Sequence, residues 1–188
     1  MKATGIVRRI DDLGRVVIPK EIRRTLRLRE GTPLEIFTDR EGEVILKKYS
    51  PMMELTAFAG QYAESMAQST GMTVCIADRD QVIAVAGGPK KELLQKTISS
   101  QLEEAVNERE TFLAGTGGRA MIPVADEDLE GITAQAIAPI ICEGDAIGAV
   151  ILMSREPRVK FGDAELRLVT TAAGFWVARW KRRFWQRA

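Results

Sequence analysis

Nine basic side chains, seven of them arginines, lie within the first 29 residues of this 188-residue sequence and are opposed by only three acidic ones. The planar guanidinium group of arginine can make paired hydrogen bonds to a phosphate or to the edge of a guanine. Each neutralised phosphate would add about −0.9 to the salt slope of DNA binding. A solvated surface without any partner is the alternative explanation. The density of arginines favours contact with a polyanion.

The charge changes sign along the chain, although the formal net charge is only +1. Residues 1–50 hold 12 basic and 8 acidic side chains, and residues 51–176 hold 10 basic and 18 acidic ones. Residues 177–188 hold five basic side chains and no acidic one. This asymmetry predicts a basic module for a polyanion, joined to an acidic module with another role. We place the boundary at Tyr49-Ser50-Pro51, which gives domains 1–50 and 51–188.

The sequence around the arginines predicts a small β-rich module with the order β-β-α-β-β. The turn between the first two strands lies at Asp11-Asp12-Leu13-Gly14, and Pro19 suits a helix entrance. In the helix, Ile22 and Leu26 share one face, so that the arginines lie off it. The predicted elements are strands over Thr4–Ile10 and Arg15–Ile18, a helix over Lys20–Leu28 that Gly31 ends, and strands over Leu34–Thr38 and Glu43–Lys48.

Fifty residues are marginal for a module that must form its own core as a monomer. The runs Ile6-Val7 and Val16-Val17-Ile18 are apolar on both strand faces, as in strands that are covered from two sides. Intertwining with a second chain would supply the missing core. We therefore expect an obligate dimer.

The run DDLGRVVIPKEIRRTL, followed by EGTPLEIF and EVILKKY, resembles the swapped-hairpin DNA-binding domain of AbrB-type transition-state regulators. The resemblance implies double-stranded DNA as the partner, contacted mainly by arginines. The matching positions are Arg8, Arg15, Arg23 and Arg24, with Lys2 and Arg9 as weaker candidates. Antitoxins with similar hairpins also bind a toxin protein, so an antitoxin-like interaction module with secondary DNA binding is the alternative.

The acidic module reads as an α+β domain, in which helices flank an antiparallel sheet. The predicted elements are a helix over residues 54–70, strands over Met72–Ala77 and Val82–Ala86, a helix over Lys90–Glu108, a strand over Met121–Ala125, a hairpin of Thr133–Cys142 and Ala146–Met153, and a last helix from about Gly162 into the low 180s.

PIICEGDAIGAVILM followed by FGDAELRLVTTAAGF resembles a GAF domain. This resemblance implies a sensory or dimerisation module with a small-molecule effector of unknown identity and no assigned cofactor. Residues 114–120 and 125–131 are either flexible loops or a lid over the effector pocket. The whole chain resembles AbrB-type sporulation regulators that carry a sensor-like domain, which implies activation or repression of sporulation genes. Pairing of the GAF-like domains through their first and last helices would build a tetramer.

Histidine is absent, which excludes Ser-His-Asp and Cys-His catalysis as well as histidine metal sites. We therefore predict no catalytic residues and no metal, and a disulfide between Cys75 and Cys142 is not expected. Thiol chemistry at Cys142, which lies beside a turn and is expected to be the more accessible thiol, is the enzymatic alternative. With no signal peptide and no membrane-spanning run, we expect a cytoplasmic, nucleoid-associated protein.

The basic tail VARWKRRFWQRA departs from the family pattern, in which the chain usually ends within a few polar residues after AAGF. Its apolar residues keep helical spacing, which favours dimer packing. These residues continue a series of Leu166, Val169, Ala173, Trp176/Val177, Trp180 and Phe184. The basic side chains could form a solvated face, a second polyanion contact or a membrane-surface patch; they are Arg179, Lys181, Arg182, Arg183 and Arg187.

Overall fold

The computed structural model describes residues 5–49, 52, 56–115, 119–126 and 131–185, with side chains as far as residue 179. Contacts within the chain divide it into two units, Met1–Tyr49 and Ser50–Ala188. Of the helices in the described part of the chain, none is both long and apolar enough to cross a membrane.

The N-terminal unit contains one short helix and one β-hairpin. Helix α1 spans Lys20–Thr25 and follows Pro19, whose fixed φ of −56° suits a helix entrance. Strands β1 (Leu34–Thr38) and β2 (Val44–Lys48) pair antiparallel. The helix and the last two strands were predicted, but α1 ends earlier than expected, because Arg27, the second residue after its end, adopts a left-handed φ of 50°.

Predicted strands over Thr4–Ile10 and Arg15–Ile18 are wrong for the single chain, because residues 5–10 and 15–18 form no strand. The turn between them does form, with the Gly14 N–H donating to the Asp11 carbonyl at 3.0 Å. A strand requires a neighbouring strand to satisfy its backbone groups. Here β1 and β2 pair with each other and leave both segments without a neighbour of that kind.

Large apolar side chains of the N-terminal unit remain exposed in the single chain. Val7 is 86% exposed, Val17 70% and Ile36 67%, and α1 contains no buried residue. The other exposed large apolar residues of this unit are Ile6, Ile10, Leu13, Val16, Leu26, Phe37, Val44 and Leu46. Apolar surface of this extent is typical of a unit that is completed by association.

The C-terminal unit consists of nine elements among its described residues. They are α2 (Thr56–Thr70), β3 (Thr73–Asp78), β4 (Val82–Ala86), α3 (Lys90–Leu93), α4 (Ser100–Asn107), β5 (Phe112–Ala114), β6 (Ala134–Cys142), β7 (Asp145–Ser154) and α5 (Asp163–Trp185). The strands form a five-stranded antiparallel sheet in the order β4-β3-β7-β6-β5. Helices α2 and α5 pack together on one face, and α4 packs on the sheet with a core that includes Cys75, Ile137 and Ile151.

The single helix predicted over Lys90–Glu108 is wrong, because the chain forms two helices there. Between α3 and α4, Gln95 has a φ of 64°, and Thr97 and Ile98 form isolated bridges to Gln81 and Ala125. The Ser99 hydroxyl then accepts a hydrogen bond from the Leu102 N–H at 3.0 Å and caps α4. These long-range bridges override the helical spacing of the apolar residues.

The strand predicted over Met121–Ala125 is also wrong; only Ala125 makes an isolated bridge. The backbone of this segment is hydrogen-bonded by the fully buried Gln135 side chain of β6 instead of by a neighbouring strand. Its amide nitrogen donates to the Ile122 carbonyl at 2.7 Å, and its amide oxygen accepts from the Ile122 N–H at 2.8 Å. The three-residue strand β5, which pairs with β6, was not predicted.

Candidate nucleic-acid interface

The described candidate arginines lie in two places on the N-terminal unit. Arg8 and Arg9 precede the Asp11–Gly14 turn, and Arg15 follows it. Arg23 and Arg24 lie together in the last turn of α1. All five side chains are exposed, which leaves them available to a charged partner. Lys2 lies outside the described residues.

Asp11 organises the turn between the two arginine-bearing segments. Its Oδ1 atom accepts hydrogen bonds from the Leu13 N–H at 3.0 Å and the Arg15 N–H at 2.8 Å. Its Oδ2 atom accepts from Arg15 Nε at 2.8 Å, so the contact is also an ion pair. The backbone N–H of Arg15, followed by its guanidinium, lowers the pKa of the Asp11 carboxyl. The D-x-x-x-R spacing could have indicated this contact, but the sequence pattern predicted only a turn at Asp11.

Helix α1 presents two adjacent arginines from a short, well-defined scaffold. The Pro19 carbonyl accepts from the Arg23 N–H at 2.9 Å, and the Arg23 carbonyl accepts from the Leu28 N–H at 2.7 Å. Cations in the last turn of a helix also interact favourably with its dipole. The backbone of Arg23 is therefore fixed on both sides while its side chain remains exposed.

Both cysteines are buried, and Cys142, although the more exposed of the two as expected, is still not accessible at the surface. Cys142 is 4% exposed because it lies on β6, directly opposite Asp145 in the sheet. Cys75 is fully buried on β3, and burial raises the pKa of its thiol to about 12. Within the described residues, no group of three or more His, Cys, Asp or Glu side chains could hold a metal ion.

The sheet face beneath α4 is filled by apolar side chains. Leu102 and Val106 of α4 pack in one cluster with Phe112, Val124 and Ile151. A groove of about 320 Å³ lies elsewhere, where β3 begins and β4 and β7 end. It is lined by residues 71–73, 87–89 and 153–156. The described parts of the two proposed lid segments, residues 114–120 and 125–131, do not line this groove.

Four aromatic rings join α2 to α5. Tyr62 and Phe175 stack with ring centroids 5.0 Å apart, and Trp176 meets Tyr62 edge-on at 5.6 Å. Phe58 completes the group, and the Arg179 guanidinium lies 4.3 Å from its ring centroid. Trp176 is fully buried, whereas Phe175 is 39% exposed. The helical spacing of Val169, Ala173 and Trp176 thus reflects packing within the unit. Trp180, Phe184 and the basic side chains after Arg179 lie outside the described side chains.

The chain matches known families over both units. Residues 54–179 match the family described as stage V sporulation protein T C-terminal, transcription factor. Over 176 residues the chain is 54% identical to stage V sporulation protein T of Bacillus subtilis (strain 168), covering 93% of this chain and 96% of that protein. The chain belongs to the stage V sporulation protein T family. Membership confirms the predicted family and the predicted class of function, a sporulation transcription factor.

The two units also have relatives of their own. Residues 7–53 match the family described as antidote-toxin recognition MazE, bacterial antitoxin. Over 53 residues the chain is 62% identical to the transition state regulatory protein AbrB of Bacillus subtilis (strain 168), covering 28% of this chain and 54% of that protein. The second GAF domain of DevS from Mycobacterium smegmatis has a TM-score of 0.53 at 15% identity, covering 70% of this chain and 97% of that one. The predicted combination of an AbrB-type region with a GAF-like α+β fold is confirmed.

Proposed function

We propose that this stage V sporulation protein T family member binds double-stranded DNA through paired N-terminal domains and regulates sporulation-stage genes as an activator, a repressor or both. The observation that carries the proposal is the set of exposed arginines around the Asp11–Gly14 turn and on α1. The proposed contacts are Arg8, Arg15, Arg23 and Arg24, assisted by Lys2 and Arg9. Residues 1–50 form the DNA-binding domain in this proposal, and residues 51–188 form the GAF-like domain.

Pairing of the N-terminal domains follows from their exposed apolar side chains. Val7 and Val17 lie in segments that lack a strand partner in the single chain, and their burial against a second copy would supply both backbone and side-chain partners. Burial of apolar surface contributes about 25 cal/mol per Å². An intertwined dimer also doubles the number of arginines that one DNA duplex can meet.

The α2 and α5 helices are the proposed contact between GAF-like domains. Phe175 is large, apolar and 39% exposed, and its stacking on Tyr62 fixes its orientation before association. Aromatic side chains of this kind often form the centre of protein interfaces. Association of two N-terminal dimers through these faces gives a tetramer with two DNA-binding heads.

A small-molecule effector would act by favouring one arrangement of the paired domains, since it can shift an equilibrium only by its difference in affinity between two states. The groove at residues 71–73, 87–89 and 153–156 is the place proposed for it. The proposed role is not enzymatic and requires no cofactor. The protein would act in the cytoplasm at the nucleoid.

Selection of DNA fragments by the full-length chain at several salt concentrations tests this function. We expect a limited set of fragments to be enriched and their retention to weaken as salt increases. Enrichment of no fragment, with retention that is independent of salt, would overturn the proposal. Because residues 7–53 match an antitoxin family, that result would favour the alternative of an antitoxin-like interaction module.

A further inference from the structure

The carboxylate of Asp11 contacts Arg15 through both of its oxygen atoms. Oδ1 holds the Arg15 backbone N–H at 2.8 Å, and Oδ2 holds the side-chain Nε at 2.8 Å. A third hydrogen bond, from the Leu13 N–H to Oδ1, fixes the carboxylate itself. The Asp11 N–H in turn donates to the Arg15 carbonyl at 3.1 Å, so the two residues are joined at backbone and side chain.

This arrangement leaves the far end of the Arg15 guanidinium for a partner. Only Nε is engaged by Asp11, and the two terminal nitrogens carry four further N–H donors. The Arg15 side chain is 68% exposed in spite of the ion pair. A guanidinium held in this way has lost much of its rotamer freedom before it meets a phosphate or guanine, which lowers the entropic cost of binding.

Electrostatics alone predict that Asp11 opposes DNA binding. A carboxylate at a surface that meets DNA repels the phosphates, so its removal should strengthen binding. Asp12, the next residue, has the same charge and is also exposed, and it provides the matched comparison. The two aspartates therefore distinguish a general charge effect from a specific orientation of Arg15.

We propose that Asp11 is a positioning residue for DNA binding, which holds Arg15 Nε and directs the terminal guanidinium nitrogens towards one phosphate or guanine. This proposal rests on the proposed function, in which Arg15 contacts DNA. Asp11 itself does not touch the DNA. Its negative charge costs some affinity, and the orientation of Arg15 more than offsets that cost.

The experiment measures the Kd of the full-length protein for one enriched DNA fragment. Asp11→Asn keeps a carbonyl oxygen for the backbone N–H groups, but its amide nitrogen cannot accept from Arg15 Nε. We expect Asp11→Asn to weaken binding by about 3-fold to 10-fold, which is the typical net contribution of one hydrogen bond. We expect Asp12→Asn to leave binding unchanged or to strengthen it. In an Arg15→Ala background, Asp11→Asn should no longer weaken binding, because the group that Asp11 orients is absent.

Three outcomes would overturn the proposal: Asp11→Asn strengthens binding as Asp12→Asn does, Asp11→Asn weakens binding equally without Arg15, or Arg15→Ala binds like the wild type. Failure of the wild type to bind any fragment would instead overturn the proposed function and this proposal with it. The unfolding midpoint of each variant is measured in parallel. If Asp11→Asn is unstable, Asp11→Ser keeps one oxygen for the turn, lacks an acceptor for Nε and gives the same expected coupling to Arg15.

Discussion

Exposure at single residues separates the groups that can meet a partner from those that cannot. Arg15, Arg23 and Arg24 are exposed, whereas both thiols are buried in the sheet of the C-terminal unit. A thiol needs its thiolate form and access to react. The guanidinium groups are therefore available to a partner at the surface, whereas the cysteines contribute to packing.

Burial of Cys75 gives a testable dependence of stability on pH. Its pKa is raised from 9.0 to about 12 in the folded chain, because burial disfavours the thiolate. The unfolded state therefore loses this proton first as pH rises, so the stability linked to Cys75 is fully present below about pH 9 and is lost towards pH 12. We expect the free energy of unfolding to fall more steeply above pH 9 in the wild type than in Cys75→Ala.

Urea denaturation of both proteins from about pH 8 to pH 11 measures this difference. Labelling of the Cys75 thiol in a Cys142→Ser variant provides a second readout, with slow reaction expected in the folded chain and fast reaction in urea. Parallel stability profiles for the wild type and Cys75→Ala, together with fast labelling of the folded chain, would contradict the burial of Cys75.

Contacts between distant segments explain which elements could be predicted from the sequence. Strand β4 and the β6–β7 hairpin follow from local alternation and turn residues, and the predictions for them are confirmed with bounds that differ by at most one residue. The break between α3 and α4 depends on bridges to Gln81 and Ala125, which no local pattern indicates. The irregular segment at residues 121–123 depends likewise on one buried side chain, Gln135.

The same reasoning applies to the candidate interface. Clustering of the arginines is visible in composition, and the exposure of Arg23 and Arg24 follows from the polar face of α1. The contact between Asp11 and Arg15 is a detail of side-chain geometry and was missed. The two N-terminal strands were predicted from β propensity, but a strand forms only where a partner strand is present, and the described residues of the N-terminal unit supply none to these segments in a single chain.

If the exposed face of α2 and α5 is the contact between GAF-like domains, one charge placed there should prevent assembly into tetramers. Phe175→Glu places a carboxylate at the centre of the proposed contact between GAF-like domains, where its desolvation would be costly. We expect the wild type to form tetramers and this variant to form dimers. Sedimentation equilibrium of both proteins measures the number of chains in each particle.

Thr170→Glu is the matched control for this helix. Thr170 is exposed on α5, and at 100° per residue it lies on a different side of the helix from Phe175. We expect the control to remain tetrameric. A Phe175→Glu variant that stays tetrameric would show that the contact lies elsewhere. A wild type that never exceeds a dimer would show that the proposed tetramer does not form.

On the scale of the whole molecule, the low net charge and the uneven distribution of exposed apolar residues have one explanation. The N-terminal unit exposes both its arginines and most of the large apolar residues that are exposed among the described ones, whereas the C-terminal unit has a well-packed core. Association would cover the apolar residues and leave the arginines outside. A nearly neutral chain can in this way present a strongly basic surface to DNA.

The salt dependence of DNA binding tests this account most directly. The slope of log K against log salt is measured for the wild type, for Arg23→Ala/Arg24→Ala, and for Arg158→Ala/Arg167→Ala, which removes the same charge from exposed positions of the C-terminal unit. At about −0.9 per phosphate contact, the loss of two arginines from each of two paired chains should reduce the steepness of the slope by about 3.6. The control should keep the wild-type slope. Equal slopes for all three proteins, or binding by the wild type that is independent of salt, would contradict the account.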